Sequence, residues 1–268
     1  MSTARQTSGT LFLVPTPLDF GTSEAMPLET VLPAATWQRA AGLTHWITEN
    51  AKSTRAFLNR VGALTPLAAP LAQQHLVELP RAVHKKGDHL GEFDARGLLA
   101  PAVEGHDMGL VSEAGMPAIA DPGASVVRAA HVLGLRVVPL VGPISLMLAL
   151  AASGLNGQHF AFVGYLPQEA LARTQRLQAL EQTAQRTGQT QLWIETPYRN
   201  QAHWESLLLT LRPQTLLLRA SGLTLPDAQV RCQSVAQWRA QKESHPPLDA
   251  PTVFGLGVAQ LASAPRGR

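Results

Sequence analysis

The sequence predicts an α/β protein built from two layered domains, and three observations carry that prediction. Short apolar runs alternate with helical patterns from residue 9 to residue 256. The opening run, Gly9-Thr-Leu-Phe-Leu-Val14, is continuous rather than alternating, as expected for a strand buried on both faces of a parallel sheet. The Gly142-Pro143 pair interrupts the alternation near its middle, where one domain can end and the next begin. The expected division is a disordered leader over 1–8, an N-terminal α/β domain over 9–141, a C-terminal α/β domain over 142–258 and a flexible tail over 259–268.

The elements follow in order. Strand 9–14 ends at Pro15-Thr16-Pro17. Residues 27–42 read as mostly helical, 43–48 as the second strand with Glu49 and Asn50 at its end, and 52–60 as a helix. The stretch 61–92, rich in Ala, Pro and polar residues, suggests a short strand over 75–79 and an exposed basic loop over 81–88. Helix is expected over 92–102, strand over 108–111, helix over 124–133 and strand over 136–141. In the second half, 144–152 is a helix, 160–163 a strand, and 169–186 a long amphipathic helix with Leu171, Leu177 and Leu180 on or near one face. Strand 191–194 leads into Glu195-Thr-Pro-Tyr-Arg199. Helix 201–211, strand 215–220, an antiparallel strand over 230–233, helix 235–242 and a last strand over 251–256 complete the chain.

Composition narrows the function classes. The chain has 268 residues, enough for two modest cores, and its 45% hydrophobic content is that of an ordinary folded protein. A net charge of +3 is compatible with RNA as a partner without requiring it. The single cysteine, Cys232, rules out an internal disulfide and a cysteine-based metal cluster. His75, His84 and His89 are spaced as loop residues rather than metal ligands, so no metal is expected. Residues 1–10 are polar without an apolar core, and the apolar stretch 137–155 is broken by Pro139 and Gly142-Pro143. Neither a secretory signal nor a membrane span is expected, and the cytoplasm is the expected location.

The segment Ser112-Glu-Ala-Gly-Met-Pro-Ala-Ile-Ala-Asp-Pro-Gly123 is the most informative. It follows a short apolar strand and precedes a helix, so its small side chains sit at the C-terminal edge of a sheet, where α/β proteins bind ligands against bare backbone. Asp121 and Pro122 suit the cap and first position of the following helix. An ordinary β–α turn accounts for the same spacing. No Gly-x-Gly-x-x-Gly and no Gly-Lys-Ser/Thr is present, so neither a dinucleotide nor an NTP phosphate cradle is indicated.

This segment resembles the Ser-Asp-Ala-Gly-Thr-Pro-x-Ile-Ser-Asp-Pro-Gly signature of the tetrapyrrole methylase superfamily. More narrowly, it is similar to the branch that methylates a ribose 2′-hydroxyl in bacterial small-subunit ribosomal RNA. Gly9-Thr-Leu-Phe-Leu-Val-Pro-Thr-Pro17, Val138-Pro-Leu-Val-Gly-Pro-Ile-Ser145, Phe160-Ala-Phe-Val-Gly-Tyr-Leu-Pro167 and Ile194-Glu-Thr-Pro-Tyr-Arg199 match further blocks of that branch in the same order. The chain departs from it at Glu49-Asn50-Ala51-Lys52, where Glu-Asp-Thr-Arg is usual, at Glu113 in place of Asp, and at Tyr198 in place of His.

The resemblance implies a Rossmann-like, mostly parallel sheet in the N-terminal domain, a mixed sheet in the C-terminal domain, and a cleft between them for S-adenosylmethionine. It implies a homodimer with RNA as a possible partner. Pro15, Ser112, Glu113, Ala114, Gly115 and Met116 would meet the cofactor, with Ile119 packing on the adenosine. Ile144, Ser145, Ile194, Glu195, Thr196, Leu223 and Thr224 would close around it. Glu49 and Glu195 are the candidate proton acceptors or orienters, with Arg199 beside Glu195. Arg55 and Tyr198 are candidate substrate contacts. Glu195 with Arg199 reads equally as a structural ion pair, and Glu49 as a helix cap. Trp193, Trp204 and Trp238 read as packing rather than base-stacking platforms. Methylation of RNA, methylation of a tetrapyrrole or other small molecule, and cofactor binding without transfer are the three functions to separate.

Overall fold

The structure is a computed structural model that describes residues 8–19, 22, 25–86, 93–241 and 250–258. Residues 1–7 of the leader expected over 1–8, the tail over 259–268, the side chain of His84, and His89 lie outside the described residues. The chain forms two compact units, Met1–Ile144 and Ser145–Arg268.

The first unit runs β1 (Thr10–Val14), α1 (Leu28–Val31), α2 (Ala34–Ala41), β2 (His45–Thr48), α3 (Ala51–Leu64), β3 (His75–Glu78), α4 (Arg81–Lys86), α5 (Ala100–Val103), β4 (Met108–Val111), α6 (Ala124–Val132) and β5 (Arg136–Pro139). Its five strands pair in the order β3-β2-β4-β1-β5, and every pairing is parallel. Helices cover both faces. Leu11, Ile47 and Leu110 pack with Leu99, Val126 and Ala130 on one side. Phe12, Val14 and Trp46 pack with Phe57, Leu58 and Val61 on the other. Consecutive β1 residues thus bury opposite ways, which explains the unbroken apolar run. Each such side chain contributes about 1.5–3 kcal/mol when fully buried. Gly109 is required in β4: a Cβ there would stand 2.4 Å from the Trp46 ring.

Local corrections to the sequence reading concentrate around proline and glycine. The helix expected over 27–42 is two, because Pro33 sits extended between α1 and α2 as the α2 N-cap. The basic loop expected over 81–88 begins as α4, whose first residue follows Pro80. In place of a helix over 92–102 there is a 3-10 turn, Arg96–Leu99, followed by α5, with Pro101 in its first turn. Helix α6 starts after Gly123 at φ +134°, with no side-chain cap. Asp121 and Pro122 therefore precede the helix rather than cap and open it.

The second unit runs α7 (Ser145–Ser153), β6 (Phe160–Tyr165), α8 (Ala170–Thr187), β7 (Thr190–Glu195), α9 (Asn200–Thr210), β8 (Leu216–Ser221), β9 (Gln229–Ser234), α10 (Val235–Ala240) and β10 (Thr252–Gly257). Its sheet is mixed, in the order β6-β7-β10-β8-β9. The pair β6–β7 is parallel and the other three pairs are antiparallel. Trp193, Trp204, Trp238 and Phe254 are fully buried in one cluster with Leu177, Leu207 and Leu217, so the tryptophans are packing residues. Arg219 is 1% exposed and lies over the faces of Trp204 and Trp238 at 5.3 and 5.2 Å. Among the described residues no helix is long and apolar enough to cross a membrane.

Candidate functional site

The C-terminal ends of β1, β2 and β4 carry the residues singled out by the sequence. Beyond β4 the chain turns back over β1. Thr16 and Gly115 form an isolated antiparallel bridge, with Thr16 N donating to Gly115 O at 3.0 Å and Gly115 N to Thr16 O at 3.1 Å. Thr16 Oγ1 also donates to Ser112 O at 3.3 Å. Gly115 is at φ +75°, and a Cβ there would stand 3.1 Å from Leu18 Cδ2 and 3.5 Å from Pro143 O. Ala118 and Ala120 follow at φ +66° and +63°, a conformation that costs an L-residue free energy and persists only where surrounding structure enforces it. Gly142 packs on Pro15, since a Cβ would stand 2.3 Å from its ring. The loop is thus a strained main-chain surface pinned to β1.

Two pockets flank this loop. One, about 480 Å³, is lined mainly by apolar side chains, among them Leu13, Met116, Ile119, Val127, Pro139 and Ile144. Ile119 is 40% exposed. The other, about 540 Å³, lies among Thr16, Asp19, Asn50, Lys52, Ser53, Phe57, Arg60, Ser112 and Glu113.

Carboxylates gather at the same edge. Glu49, half-buried at the end of β2, accepts a hydrogen bond from Glu113 N at 3.3 Å. Burial pushes Asp121 up to about 8, and the charges of Glu49 and Glu113 push the same way. Asp121 therefore holds a proton at neutral pH. Glu49 is not the α3 cap. That position belongs to Asn50, whose Oδ1 accepts from Lys52 N at 2.9 Å and Ser53 N at 3.4 Å, while Glu78 accepts from Ala51 N.

In the second unit, Ile194, Glu195 and Thr196 lie at the end of β7, and Leu223 and Thr224 follow the end of β8. Both ends flank the start of β10, where Thr252 pairs with Glu195 on one side and Ser221 on the other. Thr224 is at φ +72°, and its buried Oγ1 has no hydrogen-bond partner among the described residues. Ser145 opens α7. Glu195 is committed: Oε1 accepts from Arg199 Nη2 at 2.6 Å, Arg199 Nε at 2.9 Å and Thr196 N at 2.7 Å. Of its two readings, this geometry favours the structural ion pair. Tyr198 is 82% exposed, with the Arg199 guanidinium 5.4 Å from its ring centre.

Some functional candidates escaped the sequence reading. Arg55 is exposed on α3 but outside the pocket lining, whereas Lys52, Phe57 and Arg60 line it. Helical spacing from 52 through 56 to 60 was the available signal. Nothing local marked Asp19, which pairs with Arg60 from 41 residues away. Among the described residues no group of three or more His, Cys, Asp or Glu side chains is arranged to hold a metal ion.

No family model matches the chain. It is 32% identical over 207 residues to the ribosomal RNA small subunit methyltransferase I of Halalkalibacterium halodurans, covering 77% of this chain and 62% of that one. The protein of the same name from Micromonospora olivasterospora is 33% identical over 224 residues, 83% of this chain and 62% of that one. The one from Pseudomonas aeruginosa is 39% identical over 132 residues, 48% and 44% of the two chains. These matches span less than two thirds of each relative's length. Among solved structures, the crystal structure of the methyltransferase CobJ aligns over 94% of this chain and 95% of its own, with a TM-score of 0.55 and 18% identity. The parallel sheet followed by the mixed sheet is thus a fold shared with that structure. The chain is similar in sequence to small-subunit ribosomal RNA methyltransferases over part of their length, and it shares its fold with a methyltransferase.

Proposed function

We propose that the protein is an S-adenosylmethionine-dependent methyltransferase acting on a ribose 2′-hydroxyl of small-subunit ribosomal RNA. The observation that carries the reading is the Thr16–Gly115 bridge, which holds a main-chain surface of small residues beside an apolar pocket of about 480 Å³. An adenosine derivative without phosphate needs that combination: an apolar wall for the base, and backbone donors and acceptors for the rest. Gly115 fits the group, because its backbone is at φ +75° and a Cβ there would crowd Leu18 and disturb the loop that would face the cofactor. Ser112 to Met116 would hold the cofactor through main chain, with Pro15 beneath and Ile119 and Ile144 against the adenosine. When bound, the cofactor supplies a methyl group on a positively charged sulfur.

The protein's part is alignment, exclusion of water and removal of one proton. Glu49 is assigned as the acceptor of the ribose hydroxyl proton. Its Oε2 is oriented by Glu113 N, and the neighbouring Asp121 is neutral near pH 7, which spares Glu49 a second close negative charge. Glu195 and Arg199, bound to each other, are assigned to shaping rather than proton transfer. Tyr198 is placed with the substrate contacts. A homodimer in the cytoplasm completes the proposal.

Mapping ribose methylation in small-subunit RNA from a strain lacking the gene tests the reading, together with calorimetry of the purified protein against S-adenosylmethionine. Loss of one ribose methyl group and measurable cofactor binding are expected. Persistence of every methyl group would overturn the RNA assignment, and absence of binding would overturn the transferase.

A further inference from the structure

We propose that the second pocket of the first unit, about 540 Å³, takes a single ribonucleotide of the acceptor strand with its phosphate on Lys52. The proposal rests on the methyltransferase reading above and names where that substrate sits.

The charge inventory of the lining comes first. Arg60 is neutralised by Asp19, whose carboxylate takes both guanidinium branches at 3.2 and 2.9 Å and also accepts from Met26 N at 2.9 Å. Glu113 adds negative charge. Lys52 is exposed and forms no ion pair among the described residues. One uncommitted cation suits one phosphate. It does not suit a macrocycle fringed with several carboxylates, which would meet Glu113 and find no further uncommitted cation in the lining. The first turn of the 14-residue helix α3 lines the same pocket through Lys52 and Ser53, and its dipole adds to the preference for an anion there.

The uncharged lining is the second argument. Asn50, Ser53 and Ser112 offer amide and hydroxyl groups of the kind that meet ribose hydroxyls and base edges. Ser112 is 4% exposed, and its Oγ has no hydrogen-bond partner among the described residues. A buried hydroxyl left unsatisfied is destabilising, so an orphan in a pocket wall marks a group that gains from a ligand. Phe57 supplies an apolar floor. The loop residues 112 and 113 line this pocket while 116–119 line the apolar one, so a ribose placed here lies one loop-width from the assigned adenosine site.

The test uses the full chain loaded with S-adenosylhomocysteine and titrated with each of the four ribonucleoside 5′-monophosphates, read by ¹⁵N NMR. Saturable shifts are expected at the amides of Lys52, Ser53 and Phe57. Lys52→Ala should weaken binding about tenfold, the value of one charge-assisted contact, and Lys52→Arg should restore it. An unchanged affinity in Lys52→Ala, shifts confined to other parts of the chain, or tighter occupation of these amides by uroporphyrin would each overturn the assignment. Failure of S-adenosylhomocysteine itself to bind would be seen first, and would take down the methyltransferase reading and this proposal with it.

Discussion

Asp121 offers a quantitative check on the electrostatics of the pinned loop. Burial, assisted by Glu49 and Glu113, raises its carboxyl from 3.8 to about 8. Between those values the folded chain keeps a proton that the unfolded chain has released. Stability contributed by this group is therefore full below about pH 4 and falls as pH rises toward about 8, by about 1.4 kcal/mol per pH unit. Over the whole interval the loss approaches about 6 kcal/mol, comparable with the total stability of a small domain. Asp121→Asn cannot titrate, so it removes the slope. The chain has two compact units, and a global probe would mix their signals. Fluorotryptophan NMR separates them, because Trp37 and Trp46 belong to the first unit and Trp193, Trp204 and Trp238 to the second. Urea unfolding read at Trp37 and Trp46 should show the variant gaining on the parent by about 1.4 kcal/mol per pH unit between pH 5 and pH 8, then levelling. A difference that stays constant across that range would refute the burial argument.

Further outcomes follow from single positions. Gly115→Val should abolish cofactor binding in calorimetry, because it adds a branched side chain at φ +75° against Leu18; normal affinity would place the cofactor elsewhere. Arg219 is a buried cation whose Nη1 has no hydrogen-bond partner among the described residues, held by two indoles. Arg219→Met should stay within about 1 kcal/mol of the parent or exceed it, and Arg219→Ala should lose about 3 kcal/mol, in urea unfolding read at Trp238; the opposite order would show that the charge itself stabilises. His45 stacks between His75 and His106 at 4.7 Å from each, and burial followed by those two rings lowers its pKa below the ordinary 6.5. Its stabilising contribution is complete above about pH 6.5 and shrinks as acid charges the unfolded imidazole first, so His45→Gln should flatten the acid limb of a stability profile read at Trp46.

Much of this molecule is written locally. The β1 and β4 runs are legible because a strand buried on both faces needs apolar residues at consecutive positions. The loop after β4 is legible because only small side chains allow a backbone to cross a sheet edge. The three core tryptophans of the second unit read correctly as packing for a similar reason: each lies within or beside an apolar pattern. Glycine and proline misled at the segment 27–42 and before α6, where a cap or break depends on the exact path of the turn.

Other features had no local signature. The strand order β3-β2-β4-β1-β5 and the insertion of β10 between β7 and β8 depend on which segments meet after the chain closes on itself. The same is true of the Asp19–Arg60 pair, of the neutral Asp121, and of the choice of Lys52 over Arg55 for the pocket wall. Backbone propensity and side-chain periodicity act over a few residues and are set by covalent neighbours. Pairing, burial and proton affinity are set by atoms brought together from distant parts of the chain, and these exist only once the sheets are assembled.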